Sequence, residues 1–136
     1  MAYWDEGLQA LLSQGVISGF ALVDACGEPE SCFGSIDSLV CDAESEEPSH
    51  LVRTLQSVFA GLQPIPTSLA LGPSESAIVV RADESEICAV TPGRTVGLMA
   101  SHLRIGLLLV TFGPPNLFQS VTPQVDRAVA HARSLM

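Results

Sequence analysis

Apolar residues recur along this chain with two different periods. Trp4, Leu8, Leu11, Leu12 and Val16 stand at i, i+4, i+7, i+8 and i+12, one stripe of an α-helix. Asp5 and Glu6 fall in its first turn, where the dipole favours negative charge, and Gly15 can end it. A short apolar run between Gly19 and Gly27 predicts a strand, and Cys32-Phe33-Gly34 the returning strand of a hairpin. Residues 42–50 are acidic and polar and read as a solvated loop. Pro48 and Ser49 open a second helix, with Ser49 as its cap. Leu51, Leu55, Val58, Phe59 and Leu62 give that helix an apolar face before Gln63-Pro64-Ile65-Pro66 stops it.

From residue 68 the period shortens. Segments 68–72, 77–82, 86–90, 94–100 and 103–112 read as strands, separated by turn signals at Gly72-Pro73-Ser74, Asp83-Glu84-Ser85, Pro92-Gly93 and Ser101-His102. Short strands joined by tight turns predict an antiparallel meander. Residues 107–110 are apolar throughout, so that strand is covered on both faces, and Gly106 before it marks a bulge or a close backbone approach. The last segment is a helix with Pro123 in its first turn and Val121, Val125, Ala128, Val129, Ala132 and Leu135 along one face. The sum is an α+β domain spanning residues 1–136, with helices covering one antiparallel sheet.

Composition narrows what such a domain can do. The chain has 136 residues, 15 acidic and 6 basic, for a formal net charge of −9. All six basic residues are arginine: Arg53, Arg81, Arg94, Arg104, Arg127 and Arg133. Nucleic acid needs a basic stripe to displace counterions, and an anionic membrane surface needs one too, so both are poor partners here. The longest apolar run near the C-terminus, 105–110, falls far short of the roughly 20 residues of a membrane span. Residues 1–10 carry Asp5 and Glu6 where a signal peptide would be basic. Cys26, Cys32, Cys41 and Cys88 match no zinc spacing and read as reduced thiols of a cytosolic protein.

The search for reaction chemistry finds little. His50, His102 and His131 are scattered, and no nucleophile elbow or glycine-rich phosphate loop occurs. His50 beside Asp42, Glu44, Glu46 and Glu47 is a solvated loop before a helix rather than a metal site. The chain is read as a binding module, not an enzyme, with no metal and no cofactor. Tyr3 and Trp4 are its only Tyr and Trp. Such residues either pack a helix onto a sheet or form an aromatic patch that docks polyproline-II segments.

At this point the chain resembles the profilins, small actin-monomer-binding proteins. Met1-Ala2-Tyr3-Trp4 before an amphipathic helix is similar to the profilin start, and Phe20-Ala21-Leu22-Val23 to the first strand. Pro48, the following helix and Phe59 resemble the middle helix, and Ser68-Leu69-Ala70-Leu71-Gly72 resembles the family's Gly-Leu-x-Leu-Gly. Val79-Val80-Arg81-Ala82-Asp83 looks like the next strand, and Thr95-Val96-Gly97-Leu98 through Leu108-Leu109-Val110 like the last two. Ala128-Val129-Ala130-His131-Ala132-Arg133 is similar to the closing helix.

The resemblance implies a central antiparallel sheet of about seven strands, with the N- and C-terminal helices side by side on one face. It implies a monomeric cytoplasmic protein of the cytoskeleton that binds actin monomers and proline-rich proteins and regulates filament assembly, by monomer sequestration among other routes. Trp4 and His131 match groove positions, Phe33 (or Cys32) falls near a second aromatic position, and Tyr3 neighbours Trp4. The family's groove Tyr would fall at Gly7, and its terminal Tyr is absent. At about 0.5–1.5 kcal/mol per aromatic contact, each loss weakens a proline-rich ligand by severalfold to tenfold. On the actin side Arg81 matches a basic family position, and the start of the last helix supplies Gln119, Gln124 and Arg127. The charge of −9 argues against phosphoinositide binding. A scaffold domain of the roadblock or longin type, docking on trafficking or signalling complexes, is the alternative that the same layout suits.

Overall fold

A computed structural model describes residues 5–24, 29–34, 50–70, 76–83, 85–91, 96–103, 106–113 and 118–134. Their order is α1 (Glu6–Ser13), β1 (Gly19–Asp24), β2 (Pro29–Gly34), α2 (His50–Phe59), β3 (Ser68–Ala70), β4 (Ser76–Ala82), β5 (Glu86–Val90), β6 (Gly97–Leu103), β7 (Gly106–Phe112) and α3 (Phe118–Ser134). The strands form one seven-stranded sheet in the order β2-β1-β7-β6-β5-β4-β3, every neighbouring pair antiparallel.

Period-two alternation sorts the apolar residues onto the two faces of this sheet. Phe20 and Leu22 of β1, Cys88 of β5, Met99 of β6 and Leu108 and Val110 of β7 point to one face, where α1 and α3 cover them with Leu8, Leu11, Val121, Val125 and Val129. Ala21, Val23, Ile87, Ala89, Leu98 and Leu109 point to the other face, under Leu51, Val52, Leu55 and Val58 of α2. The terminal helices therefore lie on one face, as the family resemblance implies, and the middle helix on the opposite one. Each fully buried Leu, Val or Phe contributes about 1.5–3 kcal/mol of apolar burial, so the two covered faces drive folding. Burial on both faces also explains the unbroken apolar run of β7.

Gly106 is a close approach. It pairs with Asp24 across β1 and β7, and a Cβ there would lie 2.0 Å from the Val23 carbonyl oxygen.

The structure departs from the sequence reading at several boundaries. Ser101 and His102 are not a turn: they continue β6, pairing with Leu108 and Leu107, and the strand runs to Leu103. Two residues in mid-ladder keep the period-two burial that their polarity hides, Ser101 buried and His102 exposed. The fourth strand of the meander accordingly begins at Gly97 rather than Arg94. Leu62 is not on the face of α2. That helix ends at Phe59, Gly61 takes a left-handed φ of +77°, and the reversal leaves Leu62 80 % exposed. Pro123 is interior to α3, which starts at Phe118, so its ring nitrogen has no hydrogen to give the preceding turn. The cap at Ser49 and the acidic loop before it lie outside the described residues.

Candidate functional site

Among the described residues, Arg81 gathers two carboxylates around one cation. Strict alternation from Ala77 and Val79, which face α2, would send Arg81 to that side as well. A β-bulge prevents this: Val79 pairs with Ala89 and Arg81 with Cys88, leaving Val80 as the extra residue. Arg81 is thereby turned to the face of α1 and α3. Its guanidinium meets the carboxylate of Glu86 on β5, and the same Nη2 lies 3.4 Å from Asp126 Oδ1 and 3.5 Å from Oδ2 on α3. The three residues join β4, β5 and α3.

Burial sets the electrostatics of this cluster. Glu86 is 9 % exposed, and its carboxyl is held above the usual carboxylate range, chiefly by loss of water. Arg81 opposes that shift, and the negative charge of Asp126 adds to it. Cys88 lies alongside, its Sγ 3.5 Å from Glu86 Oε1, and burial pushes the thiol up to about 12. Asp83 at the β4–β5 turn is the opposite case. Its Oδ1 accepts the Ser85 and Glu86 amides at 2.8 and 2.9 Å, and these hydrogen bonds, Ser85's first, hold its carboxyl below the ordinary value.

The other residues assigned to the actin side lie along α3. Gln119 belongs to its first turn. Gln124 is half-buried and donates from Nε2 to the Ser120 carbonyl at 3.0 Å. Arg127 is exposed and donates from Nε to the Pro123 carbonyl at 3.4 Å. Asp126, between them, brings Arg81 to this helix. On the same strand as Arg81, Ile78 and Val80 are each 50 % exposed. Sequence reasoning missed Glu86 and Asp126. Alternation in Glu86-Ile87-Cys88 places Glu86 on the face of buried Cys88, which was a usable signal. The bulge that brings Arg81 to them has no such signature.

The seam between the terminal helices is tight at one point. A Cβ on Gly7 would stand 3.2 Å from Ala128 Cβ, so small residues let α1 and α3 touch here. Phe33 of β2 stacks on Phe20 of β1, with centroids 4.9 Å apart and an interplanar angle of 26°, and packs against the core under α1 and α3. His131 is exposed in the last turn of α3, its carbonyl accepting the Ser134 hydroxyl at 2.6 Å. Tyr3 and Trp4 lie outside the described residues.

A cleft of about 200 Å³ opens beside α2, lined by Asp24, Gln56, Phe59, His102, Gly106 and Leu107 among others. The His102 ring stacks on Phe59 at 5.5 Å. Among the described residues no group of three His, Cys, Asp or Glu side chains is placed to hold a metal ion, and no helix is long and apolar enough to cross a membrane.

No family model and no curated protein sequence matches the chain. Solved structures do. Acanthamoeba castellanii profilin IB superposes with a TM-score of 0.71 at 12 % identity, covering 98 % of each chain. Profilin IA of the same organism gives 0.69 at 16 % identity over 98 % of this chain and 95 % of that one. Loki profilin 1, solved in complex with rabbit actin, gives 0.65 at 13 % identity over 98 % and 96 %. With the sheet order, the two helices on one face and the third opposite, these likenesses lead to one conclusion: the fold of this chain is the profilin fold.

Proposed function

We propose that this chain is a divergent profilin that binds actin monomers and regulates filament assembly, as a monomeric binding module and not an enzyme. The observation that carries the reading is the bulge at Val80. It turns Arg81 out of the α2 face and sets it against Asp126 of α3, the helix that also carries Gln124 and Arg127, while Ile78 and Val80 of β4 are half-exposed. A basic group, half-exposed apolar residues on the same strand and an adjoining helix support this reading on a fold whose solved neighbours include complexes with actin. Proline-rich segments are the second ligand class, at the seam of the terminal helices, with Tyr3, Trp4, Phe33 and His131 as contacts. The protein acts in the cytoplasm, at the cytoskeleton.

Two assays separate these activities. Monomer sequestration, read as slowed actin assembly, tests the first; Arg127→Glu should weaken it severalfold, since that side chain is exposed and, among the described residues, bonds its own helix at the Pro123 carbonyl. Trp4 is the only tryptophan, so its fluorescence during a poly-proline titration tests the second. An unchanged signal at millimolar peptide removes the proline-rich ligand. Failure of both leaves the scaffold reading.

A further inference from the structure

The Arg81 cluster holds one cation against two carboxylates, and these two are not equivalent. Glu86 is enclosed between β5 and α3, its side chain 11 % exposed, and cannot leave without opening the sheet-to-helix contact. Asp126 sits on the solvent side, 40 % exposed, at the longer distance of 3.4 Å, and can rotate away at the cost of one solvated ion pair. A third carboxylate brought to Arg81 while both remain would meet net negative charge. An acidic group from outside therefore gains this guanidinium most readily by replacing Asp126.

We propose that Asp126 is an internal competitor for Arg81, standing where a partner's carboxylate binds, so that an acidic surface docks on this face by exchange with it. The inference rests on the actin reading given above and names the regulation of that same face. Solvent-exposed pairs of this kind are weak. The brake is correspondingly mild: its removal should tighten the partner by about two- to fivefold, not by orders of magnitude. Glu86 holds the guanidinium in place in both states.

Asp126→Asn keeps the shape of the side chain and removes its charge. Two readouts apply. The first needs no partner: the rate at which phenylglyoxal labels Arg81, followed by peptide mass spectrometry on the folded protein, should rise about two- to fivefold in the variant. The second is the dissociation constant for actin monomers, which should fall by the same factor. An unchanged labelling rate overturns the competitor whatever actin does. Faster labelling with actin bound no more tightly than by the parent chain overturns the exchange. Faster labelling with no actin binding by either protein leaves the competition at Arg81 standing and overturns the actin reading, and with it the partner named here.

Discussion

Removing Arg81 should cost more than removing the charge of Glu86, although the two form one ion pair. In Arg81→Gln the Glu86 carboxylate is left 9 % exposed, with a thiol 3.5 Å away and Asp126 repelling it. An unpaired buried charge costs about 3–5 kcal/mol. The carboxyl has an escape, which is to take up a proton. From an ordinary value of about 4.3, protonation at pH 7 costs about 1.36 kcal/mol for each of some 2.7 pH units, which caps the loss near 3.7 kcal/mol. Arg81 is 43 % exposed, so solvent already screens part of the pair and a loss of about 2 kcal/mol is expected. For 136 residues that corresponds to about 7 °C in Tm. At pH 5 the same cap falls to about 1 kcal/mol, so at least about half of the defect disappears. Glu86→Gln removes the charge whose burial is unfavourable and keeps the shape. It should stay within about 1 kcal/mol of the parent chain and lean towards stabilisation at pH 7. Urea denaturation of the three proteins at pH 7 and pH 5 decides the matter. A Glu86→Gln defect as large as that of Arg81→Gln, or an Arg81→Gln defect of the same size at both pH values, would refute the reasoning.

Further outcomes follow from single contacts. Gly106→Ala puts a Cβ against the Val23 carbonyl and should lose about 2–4 kcal/mol, whereas Gly61→Ala, strained by its φ of +77° but facing open space, should lose about 1 kcal/mol; thermal melts compare them. Asp83, with its pKa lowered, contributes stability above the unfolded value and loses it as pH falls through the folded one, so Asp83→Asn should flatten the acid limb of a stability–pH curve below about pH 4. Leu55→Ala should cost about 2–5 kcal/mol and Leu62→Ser less than about 0.5 kcal/mol, since only the first is buried. The Cys88 thiol, pushed up to about 12, should resist iodoacetamide at pH 8 in the folded protein and react after unfolding.

The fold was legible where periodicity is strong. Leu8 and Leu11 at helical spacing, the unbroken run 107–110 and the Val121, Val125, Val129 stripe place α1, β7 and α3 with little ambiguity. Boundaries failed where polarity and burial part company. Ser101 is polar yet buried in β6, and Leu62 is apolar yet exposed because Gly61 turns the chain first. The charge cluster was half legible. Arg81 stood out by its match to a basic position of the family it resembles, but its partners depend on a one-residue bulge that exchanges the faces of a strand. No local pattern announces that exchange, because Val79-Val80-Arg81 reads the same in either register.

The −9 charge and the missing lysines remove much of the basic surface that an actin-binding face of this fold would be expected to offer. On the proposed actin face, the described residues that could serve are Arg81, Arg127 and the half-exposed Ile78 and Val80. Calorimetric titration of actin monomers with the parent chain and with Arg127→Glu tests that assignment most directly. Saturable one-to-one binding, weakened severalfold by the substitution while the melting temperature is unchanged, is the expected result. No heat of binding from the folded parent chain, or binding that Arg127→Glu leaves untouched, would contradict it.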